Sequence, residues 1–301
     1  MASVLAIFGP TAVGKTDIAL AVARRIRAQG GEPVAIGADA LQLYEGLEIL
    51  TAVPSPAERA ELEHRLVATV PVTERFSVAQ YARLAHQEID AVLAAGGSPI
   101  VVGGTGLYLR AALAELQLRP APEPGVREAL LAEADARGTE ALHARLAQAA
   151  PWAAERVDPR DRSRVVRSLE LLAAGALEPP PEENELWTHH TRHPTRLVGL
   201  VMEREALYAR IDQRVDAMVA AGVAEEIRAA EAAGVSATAR AAVGFEELLR
   251  GDAEAAKTRT RRLAKRQLTW MRKLAGVELV DVTERAPDEV AAGLHLDSPP
   301  A

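Results

Sequence analysis

The sequence predicts an α/β fold: a parallel sheet flanked by helices, interrupted by an all-helical insertion domain. Three observations predict it. Short apolar runs rich in strand formers alternate with stretches of helical period. A glycine-containing loop joins the first such run to the first helical stretch. From about residue 123 to 174 the strand signal vanishes, while Ala, Leu, Arg and Glu keep a helical pattern. The 301 residues, 49% hydrophobic and 26% charged, suffice for one large domain or two modest ones with a real core.

The elements follow in order. Val4–Phe8 is a strand that stops at Gly9-Pro10, and 16–27 has helical period. Residues 33–38 read as a second buried strand and 98–102 as a third. Between them 78–95 is helical, ended by Gly96-Gly97. Strands alternating with helices imply a parallel sheet, whose ligands bind at the carboxyl ends of the strands. In the helical stretch, Asp158-Pro159 predicts an N-cap followed by proline at the first helical position, and Gly175 a helix end. Residues 178–185 (EPPPEENE) form a connector. A strand at 196–202, helices over 204–233 and 253–275, and a last strand at 277–282 complete the pattern. The core is therefore expected to be discontinuous, 1–115 and 196–295, around an insertion at 116–195. A disordered tail is expected at 296–301.

Composition excludes several classes. No apolar run approaches the roughly 18 residues of a membrane span, and the first residues lack a basic signal-peptide region. Cysteine is absent, which removes disulfides and thiolate metal sites and fits a cytoplasmic protein. The net charge of −7 taken alone argues against a polyanion partner. Its distribution argues otherwise. Residues 257–273 (KTRTRRLAKRQLTWMRK) hold eight basic residues and no acidic one, so the rest of the chain carries −15. Lysine occurs only at 15, 257, 265 and 273. On a helical wheel Leu263, Trp270, Met271 and Leu274 share one arc, and Lys257, Arg261, Arg262, Lys265, Arg266, Arg272 and Lys273 the other. An apolar stripe would dock the helix while the basic face meets phosphate, a membrane surface or plain solvent.

Gly9, Pro10, Thr11, Ala12, Val13, Gly14, Lys15 and Thr16 match G-x-x-x-x-G-K-T after a strand and before a helix, the context of a P-loop NTPase-like core. Successive amides and the helix N-terminus suit phosphate oxygens. Lys15 supplies a positive charge, and Thr16 a hydroxyl for Mg²⁺. The motif identifies a polyphosphate, not which nucleotide or other ester carries it. The third strand ends Val102-Gly103-Gly104-Thr105 with no acid, which weakens an ATPase reading. The second ends Gly37-Ala38-Asp39, and leaves Asp39 free for other chemistry.

GPTAVGKT, Asp39-Ala40-Leu41-Gln42-Leu43-Tyr44 and Gly103-Gly104-Thr105-Gly106-Leu107-Tyr108 together resemble the tRNA dimethylallyltransferase (isopentenyltransferase) family. So do Arg162-Ser163-Arg164 through Glu170, Arg214-Val215-Asp216-Ala217-Met218, Val243-Gly244-Phe245-Glu246-Glu247 and Ala264–Trp270. The matches run in family order over about residues 4–275. Departures fall at Glu45 and Thr51-Ala52-Val53-Pro54, where basic residues are usual, and at Glu63-His64-Arg65, where Pro-His-His is.

The resemblance implies transfer of a dimethylallyl group from dimethylallyl diphosphate to N6 of the adenosine on the 3′ side of the anticodon, position 37 of tRNA. It implies the P-loop, Thr16-bound Mg²⁺ and Arg214 on the diphosphate, and Lys15, Thr16, Asp39 and Thr105 as catalytic. Asp39 suits a base that orients the amine and accepts its proton; a strand-end cap or an indirect metal partner is the alternative. Gln42 suits an adenine edge, or is merely exposed. Asp39, Ala40, Leu41, Gln42, Thr105, Lys265, Arg266 and Gln267 would meet tRNA. Arg160, Asp161, Arg162, Ser163, Arg164 and Arg167 would meet it from the insertion, with Arg160, Arg164 and Arg167 at i, i+4 and i+7. Salt bridges are the other reading of that cluster. No membrane and no obligate protein partner is expected. Transfer to free adenine nucleotide, or a P-loop kinase or nucleotide-binding module, are the competing functions.

Overall fold

In the computed structural model, which describes residues 3–119, 125–179 and 185–294, all five residues of Val4–Phe8 are buried. A strand with no polar residue belongs inside a parallel sheet covered on both faces. It pairs with Ser98–Gly103 on one side and Thr195–Val201 on the other. The six strands lie in the order His64–Arg65, Pro33–Gly37, Ser98–Gly103, Val4–Phe8, Thr195–Val201, Val277–Asp281, and every pair is parallel.

Connections carry the helices. Lys15–Ala28 buries Ile18, Leu20 and Val22 beside the first strand. Val78–Ala94 opens on a capping box between Ser77 and Gln80 and buries Tyr81, whose hydroxyl donates to the Gly37 carbonyl at 2.9 Å. The helix expected over 204–233 is two, Arg204–Ala220 and Val223–Ala232, because Gly222 turns the chain with a φ of +86°. The two-residue strands His64–Arg65, Tyr44–Glu45 and Val70–Pro71 are too short to carry a period. No helix among the described residues is long and apolar enough to cross a membrane.

The chain divides into two compact units, Met1–Leu116 with Glu185–Ala301, and Gln117–Asn184. The segment 185–195, expected with the insertion, belongs to the first. Trp187 packs against Trp270 at a tilt of 48° with ring centres 4.7 Å apart, and Arg192 grips Asp90 through two bonds of 3.1 and 2.9 Å. The tail 296–301 lies outside the described residues.

The second unit packs the helices Val126–Arg137, Thr139–Ala149, Pro151–Ala154 and Arg162–Ala173 around Leu142, Leu146, Val165 and Val166. Its last helix is capped by Asp161, not Asp158. Asp161 Oδ1 accepts from the Arg164 amide at 3.1 Å, while Asp158 Oδ1 accepts from the Arg160 amide at 2.8 Å. The Asp158 bond closes a local turn that competes with helix, and delays the start by three residues.

Candidate active site

The loop after Val4–Phe8 is tight. A Cβ on Gly9 would stand 2.9 Å from Val13 Cγ1. Gly14 takes a φ of +98° to open the helix. Lys15 Nζ donates to the carbonyls of Gly9 and Pro10 at 3.1 and 3.0 Å. Burial pulls its pKa down to about 8; Asp39 works against that shift and Arg214 adds to it.

The glycines after Ser98–Gly103 answer to contact. A Cβ on Gly103 would run into the Ala38 carbonyl, and one on Gly106 into the Trp270 ring. A Cβ on Gly104 would lie 3.4 Å from Asp39 Oδ2. This close approach brings Asp39, Thr105 and the phosphate loop to one carboxyl edge of the sheet. Asp39 Oδ1 accepts from the Leu41 amide at 3.0 Å. Thr105 Oγ1 accepts from the Ala40 amide at 3.4 Å.

A cavity of about 560 Å³ joins these groups. Its polar lining includes Thr11, Lys15, Thr16, Asp39, Thr105, Arg210 and Arg214, and its apolar lining Leu50, Val215, Met218, Leu248 and Leu263. Arg214 donates to the Thr51 carbonyl at 3.3 Å; burial lowers its pKa and Asp39 opposes that shift. Gln42 gives both amide protons to the Thr51 and Ala52 carbonyls, at 3.1 and 2.9 Å. Its expected role on an adenine edge is thereby narrowed to its oxygen. Glu226, which no motif marked, accepts from the Ile49 and Leu50 amides at 2.7 and 2.9 Å and holds this same wall.

The basic helix, Ala253–Met271, is only partly a basic face. Lys257 is paired with Asp216 and Glu254, both at 2.8 Å, and Arg261 with Asp212 at 2.5 Å. Lys273 Nζ lies 5.5 Å over the Trp187 ring. Arg262, Lys265 and Arg266 are exposed with no ion-pair partner among the described residues. Leu263 lines the cavity instead of docking the helix.

Gln267 was expected on the tRNA face; it is turned inward and buried. Its Oε1 accepts from the Thr11 amide and its Nε2 donates to the Gly104 carbonyl, each at 2.9 Å. It ties the two glycine turns together.

The expected arginine row of the second unit does not form. Arg160 precedes the helix, Arg164 pairs with Asp161 at 3.3 Å, and Arg167 pairs with the buried Glu170 at 3.1 Å. Arg162 pairs with Asp135 at 2.7 Å. Ser163, Arg160 and Arg164 stay exposed.

No cluster of three or more His, Asp or Glu side chains is placed for a metal among the described residues. Thr16 lines the cavity, and its hydroxyl has no hydrogen-bond partner among the described residues. One hydroxyl suits Mg²⁺ bound mainly through a substrate's phosphate oxygens and water.

A family model described as IPP transferase matches residues 42–274. A tRNA dimethylallyltransferase of Thermobifida fusca is 42% identical over 284 residues, covering 91% of this chain and 88% of the relative. One of Anaeromyxobacter dehalogenans is 44% identical over 285 residues, covering 90% of each. The crystal structure of a full-length tRNA isopentenylpyrophosphate transferase from Bacillus halodurans superposes with a TM-score of 0.69 at 32% identity, covering 98% of this chain and 95% of that one.

Proposed function

The chain belongs to the IPP transferase family, and on that premise we propose that it transfers a dimethylallyl group from dimethylallyl diphosphate to N6 of the adenosine 3′ to the anticodon, position 37, in tRNA. The observation that carries this is one cavity lined by Asp39, Lys15 and Arg214, whose charges interact, together with the phosphate loop and apolar side chains.

The polar end suits the diphosphate. The loop amides, Lys15 and Arg214 stabilise the charge that grows on the leaving oxygen as the C1–O bond breaks. Thr16, with the diphosphate oxygens, would hold Mg²⁺, which supplies charge neutralisation when bound. Leu50, Val215, Met218, Leu248 and Leu263 suit the five-carbon group and keep water from its allylic carbon.

The exocyclic amine is a weak nucleophile, because its lone pair is delocalised into the ring. Asp39 Oδ2, not used by any described hydrogen bond, orients the amine and takes its proton as the N–C1 bond forms. Thr105 Oγ1 stands beside it through the Ala40 amide. Arg262, Lys265 and Arg266 give the exposed charge for the RNA backbone.

Labelled dimethylallyl diphosphate offered with tRNA or with AMP, and ATP in a parallel hydrolysis assay, tests the reading. Label in tRNA is expected. Label in AMP alone, or ATP turnover without transfer, overturns it.

A further inference from the structure

Outside the reaction cavity, Val243, Arg259, Arg262 and Arg266 line a second cavity of about 390 Å³. The arginines lie at i, i+3 and i+7 of the helix Ala253–Met271 and so share one face. Val243 and Arg266 line the reaction cavity as well, so the two cavities share a wall.

The charge in this second cavity is not balanced. Arg259 donates to Glu247 Oε1 at 2.8 Å, and Glu247 is almost fully buried with Oε2 unpaired. Glu247 therefore fixes the Arg259 guanidinium and neutralises one of three charges. Arg262 and Arg266 have no partner among the described residues. Three guanidinium groups on one concavity repel each other unless an anion with several oxygens lies among them, and forked donors match phosphate.

The geometry points to a phosphodiester pocket: Arg259, Arg262 and Arg266 hold the RNA backbone phosphate next to the adenosine whose base enters the reaction cavity. The inference rests on the tRNA-acceptor reading above. Its carrier is the shared wall. One sugar separates a base from its own phosphate, so a base seated behind Arg266 leaves its phosphate on the outer side of the same residue. A phosphate gripped there offsets the unstacking that brings the base in.

Arg262→Gln tests it, because Arg262 lines only the second cavity and is exposed and unpaired. Transfer is measured with an anticodon stem-loop carrying native phosphates, and with one carrying neutral methylphosphonates on either side of the acceptor adenosine. The wild-type chain is expected to lose roughly 10- to 100-fold in kcat/KM on the neutral RNA, the range for hydrogen bonds to a charged group. R262Q is expected to lose a similar factor on native RNA and nothing further on neutral RNA, with KM for dimethylallyl diphosphate unchanged. Losses that multiply, or native transfer by R262Q, overturn the pocket. A wild-type chain that modifies neither RNA overturns the acceptor reading itself, which separates the two failures. Arg259→Gln repeats the cycle, with a thermal melt to confirm that freeing Glu247 has not unfolded the chain.

Discussion

Gln267 accepts a hydrogen bond from the Thr11 amide at 2.9 Å across a sequence separation of 256. The same side chain holds the Gly104 carbonyl. Gln267→Ala leaves two partly or fully buried polar groups unpaired, at about 1–3 kcal/mol each. Chemical denaturation is expected to show that loss, and diphosphate affinity is expected to fall with it because the loop amides lose their fixed aim. Unchanged stability would show that water replaces the side chain.

Asp39→Ala is expected to keep diphosphate binding and lose transfer by roughly 10²–10⁴-fold, the range of general acid–base groups. Single-turnover transfer and a diphosphate titration, run side by side, measure the two parts. Transfer at the wild-type rate removes Asp39 from the chemistry.

Lys15 has its pKa pulled down to about 8, so the free protein carries the cation below that pH and loses it above. The value of kcat/KM for dimethylallyl diphosphate is therefore expected to fall as pH rises through about 8. The descending limb is expected to vanish in Lys15→Met, along with most activity. A limb that survives the substitution belongs to another group.

Gly106→Ala drives a methyl into the Trp270 ring. Overpacking of this kind costs about 1–3 kcal/mol. Adding Trp270→Leu makes room, so the double variant is expected to be more stable than the sum of the two single losses predicts. Additive losses in denaturation would place the damage elsewhere.

Lys265→Glu is expected to weaken tRNA binding and flatten its dependence on salt, whereas Lys257→Gln leaves the slope unchanged. Lys257 is already neutralised by Asp216 and Glu254. A binding isotherm series in rising salt distinguishes them, and equal slopes for both variants would contradict the pairing.

The parts of the site that lie within one short stretch were legible from sequence. Val4–Phe8, the phosphate loop and the helix behind it form a local pattern, and the structure places Asp39 and Thr105 where their strand ends implied. What escaped depends on partners far along the chain. Nothing near residue 257 says that Asp216 will neutralise Lys257, and nothing near residue 267 says that Thr11 will claim Gln267. The phase of the basic helix was read from its charges, yet the cavity took Leu263 and the interior took Gln267. The row of Arg160, Arg164 and Arg167 failed for a local reason. A turn at Asp158 moved the helix start, so sequence spacing no longer meant a common face.

The split of the first unit has a consequence for how the chain is made. Val4–Phe8 leaves the ribosome well before Thr195–Val201, one of its two neighbours. Until that strand is synthesised, one side of an entirely apolar strand is an open edge, the kind of surface that pairs with other chains. The phosphate loop waits longer still, because the Thr11 amide finds its partner only at residue 267. A nascent chain thus carries Asp39 and the loop at residues 9–16 well before the Gln267 side chain that anchors the loop. The anchoring of the loop by Gln267 therefore cannot form until translation has passed the basic helix.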